Sequence, residues 1–534
     1  MQRSTALSNA PAVEMLDISK RFGPVQANAE VDLTVGRGTV HGIVGENGAG
    51  KSTLMSVLYG FYTSDSGSIK VFGQDAMIRN AHEAIALGIG MVHQHFMLVD
   101  TLTALENVML GAEPHVLLHK ADAIVRSRLA ELMASTGLKV ALDALVGDLS
   151  VGDRQRLEIL KALYRGAKIL ILDEPTAVLT PQETEQLFGV LTLLREQGTT
   201  ILLITHKLKE VMRLCDRVTV MRAGRVVEEV AIADATIESL AEAMVGRKVQ
   251  MGRVGDSDKP PGAVLLQASG IHVSDVMGVV RLHGLDIALR AGEIVGVAGV
   301  SGNGQSELLE VLSGLLAPSQ GSLSVGERTF EVGAWIDPRT ARNLGIAHVP
   351  EDRHERALVM SFEAWESAVL GYEWLPQYCR SGWMQHPRMR KATADMMERF
   401  DVRPRDPQLL CASFSGGNQQ KLVLARELGQ APTVLLVGQP TRGVDIGAIE
   451  FIYTQLRAMR DAGCAVLVVS SELDEILALS DRVIVMNQGH VAGELPIGDC
   501  NEHTLGMLMI GGGGKGAQAS RARPAAAENK GTRA

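Results

Sequence analysis

Near the start of the chain, a glycine-rich segment leads into a lysine, a serine and a threonine. It comprises Gly45, Glu46, Asn47, Gly48, Ala49, Gly50, Lys51, Ser52 and Thr53. The apolar run VHGIV precedes it and the helix-like stretch STLMSVLYG follows, which predicts a strand, a loop and a helix in that order. Glycines let such a loop wrap a phosphate with its N–H groups, the lysine neutralises phosphate oxygens and the serine hydroxyl can ligate Mg²⁺. The spacing therefore predicts a site for nucleotide phosphates.

An acidic pair is the second candidate for chemistry. Asp173 and Glu174 follow the apolar run ILIL, and Pro175 ends that strand-like run. Alone, such a pair is more often a helix cap or a solvated charge. With a phosphate loop upstream, Asp173 is expected to hold Mg²⁺ and Glu174 to orient or deprotonate an attacking water. Together, the two segments predict hydrolysis of a nucleoside triphosphate.

The composition limits the class of protein. The chain has 534 residues, 46% of them hydrophobic, and is long enough for several domains with large cores. Its net charge of −9 disfavours nucleic acid as a partner. Five scattered cysteines without a CxxC pair disfavour a disulfide framework or a zinc ribbon. Since no run of about 18 apolar residues occurs, we expect neither a membrane span nor a signal peptide.

The second half of the chain repeats the first. LGIGMVHQ matches LGIAHVPE, DEPTAVLT matches GQPTRGVD, and CDRVTVMRAGRV matches SDRVIVMNQGHV. The repeat predicts two homologous domains, residues 1–248 and 264–510. A polar linker is expected at 249–263, and a disordered tail at 511–534.

Each copy alternates strand-like and helix-like segments. Short β-branched runs such as TVHGIVG and TTILLIT are followed by amphipathic stretches such as PQETEQLFGVLTLLREQG. This alternation is typical of a largely parallel sheet covered by helices, so the predicted fold class is α/β. Residues 101–166 and 362–430 have mainly helical patterns and are expected to form a helical subdomain inserted into each sheet domain.

Over residues 13–511 the chain resembles the nucleotide-binding domains of ATP-binding-cassette (ABC) proteins. Gln94 in MVHQHF corresponds to the Q-loop, which senses Mg²⁺ and the partner subunit. His206 in LLITHK corresponds to the switch histidine that contacts the γ-phosphate, and Phe22 in SKRFG to the aromatic residue that stacks on adenine. LSVGD corresponds to the family signature LSGGQ, with Val151 in place of a glycine.

The resemblance implies a fold, a set of cofactors and roles for the site residues. The fold is two tandem nucleotide-binding domains, each a mostly parallel sheet with an inserted helical subdomain and an antiparallel N-terminal portion. The cofactors are ATP and Mg²⁺. The residues expected at the metal are Ser52, Gln94 and Asp173, and those expected to be catalytic are Glu174, His206 and Gln94. A different metal site, built from His93 and His95, is disfavoured because no third ligand is evident.

The second copy has lost the residues that would do chemistry. Gln305 stands where the lysine belongs, Gly438 and Gln439 replace the acidic pair, Ser471 replaces the switch histidine, and Glu351 replaces the Q-loop glutamine. Its signature, however, is better formed than that of the first copy, and its D-loop aspartate is present. The residues of this copy expected to bind nucleotide are Ser415, Gly416, Gly417, Asn418, Gln419 and Asp445.

ABC domains pair head to tail, so the resemblance implies that each ATP lies between the phosphate loop of one copy and the signature of the other. Lys51, Asp173 and Glu174 would then face the intact signature and form one complete site. The other site would join Gln305 to the altered signature around Val151, and would bind nucleotide weakly or hold it without turnover. Random decay of a redundant copy would not confine every surviving element to one site.

Fused twin cassettes of this layout resemble the ATPase subunits of bacterial ribose, xylose and galactoside importers and their nucleoside-importing relatives. The stretches GIGMVHQHFMLVDTLTALENVMLG, GVSGNGQSEL and GQPTRGVDIGA favour the nucleoside branch. The implied partners are two integral-membrane permease subunits and, indirectly, an extracytoplasmic solute-binding protein. The implied location is the cytoplasmic face of the inner membrane. A sugar importer is the first alternative, a soluble twin-cassette ATPase acting on ribosomes or DNA the second, and a non-hydrolysing scaffold the third.

Overall fold

The computed structural model describes residues 10–93, 96–112, 118–176, 179, 181–248, 253, 260–275, 277–300 and 302–509. The chain divides into two compact units, residues 1–249 together with 445–447, and residues 250–444 together with 448–534. Gln94 and His95, most of the predicted linker and the whole predicted tail lie outside the described residues. The domain boundaries drawn from the sequence therefore stay predictions.

The first unit is a mixed α/β structure. Its strands are β1 (Val13–Phe22), β2 (Val25–Val35), β3 (Val40–Gly45), β4 (Ser66–Val71), β5 (Gln74–Ala76), β6 (Ile89–Val92), β7 (Ile169–Asp173), β8 (Thr200–Ile204), β9 (Arg217–Arg222) and β10 (Arg225–Ala231). Its helices are α1 (Lys51–Leu58), α2 (Ala81–Ala86), α3 (Ala104–Met109), α4 (Leu118–Thr136), α5 (Val151–Tyr164), α6 (Pro181–Glu196), α7 (Leu208–Leu214) and α8 (Ile237–Val245).

The described strands of the first unit form two sheets. One has the order β10-β9-β3-β8-β7-β6 and is parallel except for the β9–β10 pair. Strands β3, β7 and β8 are buried along their whole length, as expected for a parallel sheet covered on both faces. The other sheet, β2-β1-β4-β5, is antiparallel. The carboxyl ends of β3 and β7 carry the phosphate loop and the acidic pair.

Helices α3, α4 and α5 stand between β6 and β7 and have a hydrophobic core of their own. Leu105 and Val108 of α3 pack with Leu129 of α4 and with Leu157 and Leu160 of α5. Helix α3 begins at a capping box in which Thr103 and Glu106 each accept the other's backbone N–H. The expected helical insertion at 101–166 is therefore present.

The second unit repeats this plan. Its strands are β11 (Val264–Ser274), β12 (Val280–Arg290), β13 (Ile294–Ala298), β14 (Gln320–Val325), β15 (Arg328–Glu331), β16 (Ile346–Val349), β17 (Cys379–Arg380), β18 (Trp383–Met384), β19 (Val434–Gly438), β20 (Ala465–Ser470), β21 (Arg482–Asn487) and β22 (His490–Pro496). Its helices are α9 (Gln305–Leu312), α10 (Pro338–Asn343), α11 (Arg353–Arg356), α12 (Ala364–Val369), α13 (His386–Arg399), α14 (Gly416–Leu428), α15 (Ile446–Asp461), α16 (Leu473–Leu479) and α17 (Glu502–Met509).

The sheets of the second unit have the same topology as those of the first. The order β16-β19-β20-β13-β21-β22 is parallel except for the last pair, and β12-β11-β14-β15 is antiparallel. The α/β prediction, with a parallel core and an antiparallel N-terminal portion, is confirmed. The small hairpin β17–β18 inside the helical insertion was not predicted, because two-residue strands show no period in the sequence.

Candidate functional site

The phosphate loop of the first unit combines glycines of left-handed backbone conformation with close packing at Gly50. Gly48 and Gly50 adopt φ angles of 83° and 96°, which L side chains rarely tolerate. A Cβ atom on Gly50 would lie 2.3 Å from the carbonyl oxygen of Ala27. The side chain of Asn28 donates a hydrogen bond from Nδ2 to the carbonyl of Gly50 at 3.1 Å. The loop is thus fixed in shape at the N-terminus of α1.

Lys51, the first residue of α1, is buried against this loop. Its Nζ donates to the carbonyl oxygens of Gly45 at 2.7 Å and Glu46 at 3.0 Å. Burial lowers the pKa of the Lys51 ammonium, while the carboxylates of Glu174 and Asp173 act in the opposite direction. The arrangement keeps a cation within a cradle of backbone groups, where phosphate oxygens are the matching ligand.

Ser52 and Asp173 bring two oxygen ligands together. Asp173 is the last residue of β7 and is 8% exposed, and the Ser52 hydroxyl lies 3.5 Å from its Oδ1. Burial raises the pKa of the Asp173 carboxyl, because a charged group in this position is poorly solvated. A nearby cation would compensate that cost. The chemistry of the pair fits Mg²⁺, which prefers carboxylate and hydroxyl oxygens.

Glu174 and His206 form a hydrogen-bonded pair next to this position. Glu174 Oε1 and His206 Nδ1 are 3.0 Å apart, at the ends of β7 and β8. Glu174 has a φ of 47°, and its N–H donates to the carbonyl of Ile204, so the chain turns sharply after β7. The hydrogen bond from His206 lowers the pKa of Glu174, which keeps the carboxylate ionised and able to accept a proton from water.

Phe22 and Gln94 complete the residues predicted for the first copy. Phe22 ends β1, is 40% exposed and makes an edge contact with Tyr62 at 5.0 Å between ring centroids. Tyr62 was missed by the sequence reasoning, although it follows α1 by only a few residues. Gln94 lies outside the described residues. His93 contacts the ring of Phe61, so this histidine belongs to an aromatic cluster.

The two signature segments each begin a helix. In the first unit, Ser150 caps α5 by accepting the N–H of Asp153 at 3.1 Å, and the side chain of Val151 is 42% exposed. In the second unit, Ser415 stands at the same position before α14, and Asn418 Nδ2 donates to its hydroxyl at 2.9 Å. The Val151 substitution therefore leaves the helix start intact.

The signature of the second unit is braced by hydrogen bonds within that unit. Asn418 Oδ1 accepts the N–H of Arg403 at 2.7 Å. Gln419 Nε2 donates to the carbonyl of Cys411 at 3.1 Å, and its Oε1 is 2.8 Å from His354 Nε2. These side chains hold the segment in place. Asp445 directly precedes α15.

The altered loop of the second unit keeps the backbone and loses the charges. Gly302 and Gly304 have φ angles of 89° and 98°, close to those of the first loop. Gln305 is 6% exposed and donates to the carbonyl of Val300 at 3.1 Å, as Lys51 does to its own loop. The neutral amide cannot supply the charge of the lysine.

In the second unit, neutral residues also replace the acidic pair and the histidine that contacts it. Gln439 has a φ of 46°, matching the 47° of Glu174. Its Oε1 accepts from the N–H and hydroxyl of Ser471 at 3.2 and 3.1 Å, where Glu174 meets His206. The frame is conserved between the copies, and the proton-accepting carboxylate is gone from the second.

The structure therefore brings together Lys51, Ser52, Asp173, Glu174 and His206 in the first unit. The glycine loop and the acidic pair were predicted from their positions after apolar strands, and His206 from the resemblance to ABC proteins. Sequence reasoning missed Asn28, whose amide braces the loop from a strand that is distant in sequence.

No helix in the described part of the chain is long and apolar enough to cross a membrane.

Comparisons with known proteins identify the family. The model of the family described as ABC transporter matches residues 29–177 and 282–442. The nucleoside import ATP-binding protein NupA of Lactococcus lactis is 42% identical over 95% of this chain and 99% of its own length. The guanosine import ATP-binding protein NupO of Bacillus subtilis is 43% identical over 93% and 97%. The ribose import ATP-binding protein RbsA of Chromobacterium violaceum is 38% identical over 94% and 98%.

A solved structure supports the fold over both units. A chain in the complex of the archaeal ribosomal stalk protein aP1 with the ribosome recycling factor aABCE1 matches 90% of each chain with a TM-score of 0.61 and 18% identity. At that identity the likeness shows the fold alone. The family model covers both halves, and curated relatives align over nearly the full length. The chain therefore belongs to the ABC transporter family, whose ATP-binding proteins hydrolyse ATP to drive transport.

Proposed function

We propose that this chain is the ATP-hydrolysing subunit of a membrane importer for nucleosides. The observation that supports it most is the intact cluster of Lys51, Asp173, Glu174 and His206 in a chain 42% and 43% identical to a nucleoside and a guanosine import ATP-binding protein. The cluster supports the hydrolysis of ATP, and the names of the relatives support nucleosides as the class of solute.

The residues of the first unit divide the work of hydrolysis. Lys51 and the N–H groups of the glycine loop bind the phosphates, and Ser52 with Asp173 would hold Mg²⁺. When bound, the metal ion would neutralise phosphate charge during transfer. Glu174 orients a water and accepts its proton, while His206 holds the Glu174 carboxylate in place through their 3.0 Å contact.

The complete site needs a signature segment as well as these residues. We propose that the signature of the second copy serves this purpose, because it keeps both glycines and the D-loop aspartate. Ser415, Gly416, Gly417 and Asp445 would contribute to it. One turnover site per chain follows, and closure of the two halves on ATP would be the step that drives transport.

The permease would consist of separate chains. Two integral-membrane subunits would be its partners, and an extracytoplasmic binding protein would deliver the solute. The chain would then work at the cytoplasmic face of the inner membrane.

Phe22 would stack on the adenine of ATP, since its ring is half exposed at the end of β1.

The test is ATP turnover by the chain reconstituted with its co-purified membrane subunits and binding protein in lipid vesicles. We expect nucleosides to stimulate turnover over the basal rate, and a pentose to have no effect. The same preparation carrying Glu174→Gln gives the background. Stimulation by nucleosides supports the proposal, and stimulation by a sugar alone contradicts it.

A sugar importer is the second candidate, because the ribose import protein is 38% identical over a similar length. Gly438 and Gln439 argue against a sugar importer. Members of the sugar branch generally keep an acidic pair in both copies, and this chain keeps it only in the first. The vesicle assay separates the two directly. Failure to copurify with any membrane subunit would instead favour a soluble twin-cassette factor.

A further inference from the structure

The second phosphate loop has lost its expected metal-binding carboxylate. In the first unit, the Ser52 hydroxyl lies 3.5 Å from Asp173, which ends β7. In the second unit, β19 ends at Gly438, which has no side chain. By this criterion alone, the loop would offer Mg²⁺ only the hydroxyl of Ser306.

A different carboxylate fills the vacated space. A Cβ atom on Gly438 would lie 2.4 Å from Cγ of Glu351 and 2.9 Å from Leu309. Glu351 therefore lies where an aspartate side chain would begin. It follows β16, and β16 is the neighbour of β19 in the sheet, so the two strand ends lie side by side.

The displaced carboxylate meets the loop serine. Ser306 is the second residue of α9, as Ser52 is of α1, and its hydroxyl donates to Glu351 Oε2 at 2.5 Å. The arginines that follow Glu351 are engaged elsewhere. Arg353 donates to the carbonyl of Arg442 at 2.8 Å, and Arg356 pairs with Glu310 at 2.6 Å.

The exchange keeps one carboxylate beside the loop serine. The first copy has Asp173 next to Ser52 and an amide at Gln94, and the second has glycine at 438 and Glu351 next to Ser306. The carboxylate has thus moved from one strand end to the next. If positions 351 and 438 had changed independently, a side chain at 438 would usually have remained, and it would collide with Glu351.

We propose that Glu351 provides the metal-binding carboxylate of the second phosphate loop, so that this loop binds a magnesium nucleotide without hydrolysing it. Ser306 and Glu351 supply the hard oxygen ligands. Gln305 and the loop N–H groups supply neutral donors to phosphate. Because Gln305 carries no charge, nucleotide binding here depends on the divalent ion more strongly than at the first loop, where Lys51 contributes a cation.

The experiment counts metal and nucleotide on the isolated chain and needs neither permease nor solute, so its outcome is independent of the nucleoside proposal. Mn²⁺ serves as the probe, detected by electron paramagnetic resonance in the presence of ADP. We expect two Mn²⁺·ADP per chain for the unaltered protein. Glu351→Gln should weaken one of them by roughly tenfold or more, and the matched variant Asp173→Asn should weaken the other.

A rescue variant separates metal binding from a structural role. Gly438→Asp alone should lower the unfolding temperature, because its Cβ would collide with Glu351. Combining it with Glu351→Ala removes the collision with Glu351 Cγ, leaves the 2.9 Å contact to Leu309, and returns a carboxylate to the end of β19. The double variant should recover Mn²⁺ binding that Glu351→Ala alone has lost.

Two results would overturn the proposal. One is a single Mn²⁺ per unaltered chain that Asp173→Asn removes, which would mean that the second loop holds no metal. The other is unchanged binding of two Mn²⁺ by Glu351→Gln with an unaltered unfolding temperature, which would mean that Glu351 is not a ligand.

Discussion

Glu174 and Gln439 show how small a chemical change separates a proton-accepting side chain from a neutral one at matching positions of the two copies. Their backbones are nearly identical, with φ angles of 47° and 46°, and each side chain accepts a hydrogen bond from the residue at the end of the next strand. The difference is a carboxylate oxygen replaced by an amide nitrogen. Only the carboxylate can take a proton from water near neutral pH.

This comparison predicts unequal effects of mutation. Glu174→Gln should lower ATP turnover by at least about 100-fold, because the proton acceptor is removed while the contact to His206 can remain. Gln439→Ala should change turnover less than about twofold, since no charge or proton transfer depends on it. Phosphate release measured on the isolated chain and on the reconstituted transporter checks both. Equal losses in the two variants would contradict the asymmetric assignment.

At the scale of elements, the phosphate loop depends on what surrounds each glycine. Gly48 and Gly50 both have positive φ, but a Cβ on Gly48 would meet nothing within 4 Å, whereas on Gly50 it would lie 2.3 Å from a backbone oxygen. The first change costs only backbone strain, and the second requires strand β2 to move.

We therefore expect Gly48→Ala to destabilise the first unit by about 1–2 kcal/mol, from the left-handed backbone alone. Gly50→Ala should cost roughly twice that or more, because a backbone carbonyl cannot move aside as a side chain can. Urea unfolding of the two variants without nucleotide measures the difference. Similar losses would show that packing against Ala27 contributes nothing.

Helix α16 carries a buried acid whose titration should be visible in stability. Burial raises the pKa of Glu475 to about 7, with the hydroxyls of Ser470 and Thr441 beside it. Between the ordinary glutamate value near 4.5 and about 7, the folded chain holds a proton that the unfolded chain has released. Stability should therefore fall as pH rises through this window.

Glu475→Gln removes this dependence. The variant should be more stable than the unaltered chain at pH 8, by up to about 3 kcal/mol, and nearly equal to it at pH 4. Thermal unfolding at the two pH values provides the measurement, and Glu327→Gln, at an exposed turn, is the matched control. A pH slope that survives in Glu475→Gln would assign it to another group.

At the scale of the whole molecule, hydrolysis in the proposed importer would have to be transmitted to membrane subunits. Residues 96–99 present an apolar surface suited to this step of the proposal, because Phe96 is half-buried while Met97 and Val99 are 60% and 41% exposed. Leu98, between them, packs against the helical core of the first unit. Alternating packed and exposed residues suit a surface that receives a partner helix.

Phe96→Asp should therefore abolish solute-stimulated turnover in vesicles while leaving ATP binding and basal turnover within about twofold. Met77→Asp is the matched control, since Met77 is 71% exposed and follows β5 of the antiparallel sheet. Nucleotide binding by fluorescence and transport by solute uptake are measured on the same preparations. Normal uptake by Phe96→Asp would exclude this segment as the point of coupling.

The sequence predicted the site residues that directly follow a strand along the chain. The glycine loop, the acidic pair and His206 each follow a buried apolar run, and parallel strands bring such carboxyl ends to one edge. It could not predict contacts that depend on which strands are neighbours. Glu351 was noted only as a lost glutamine, because its proximity to Gly438 requires β16 and β19 to be adjacent.

The exchange between Glu351 and Gly438 also limits how this gene can evolve. Returning an aspartate to position 438 by a single substitution would place its Cβ 2.4 Å from the Glu351 side chain, so that step lowers stability before it brings any activity. The reverse order, losing Glu351 first, would remove the only carboxylate seen at the Ser306 hydroxyl in the described residues. Either order of substitution thus passes through a form with a collision at position 438 or without a carboxylate at Ser306, which makes the exchange difficult to reverse.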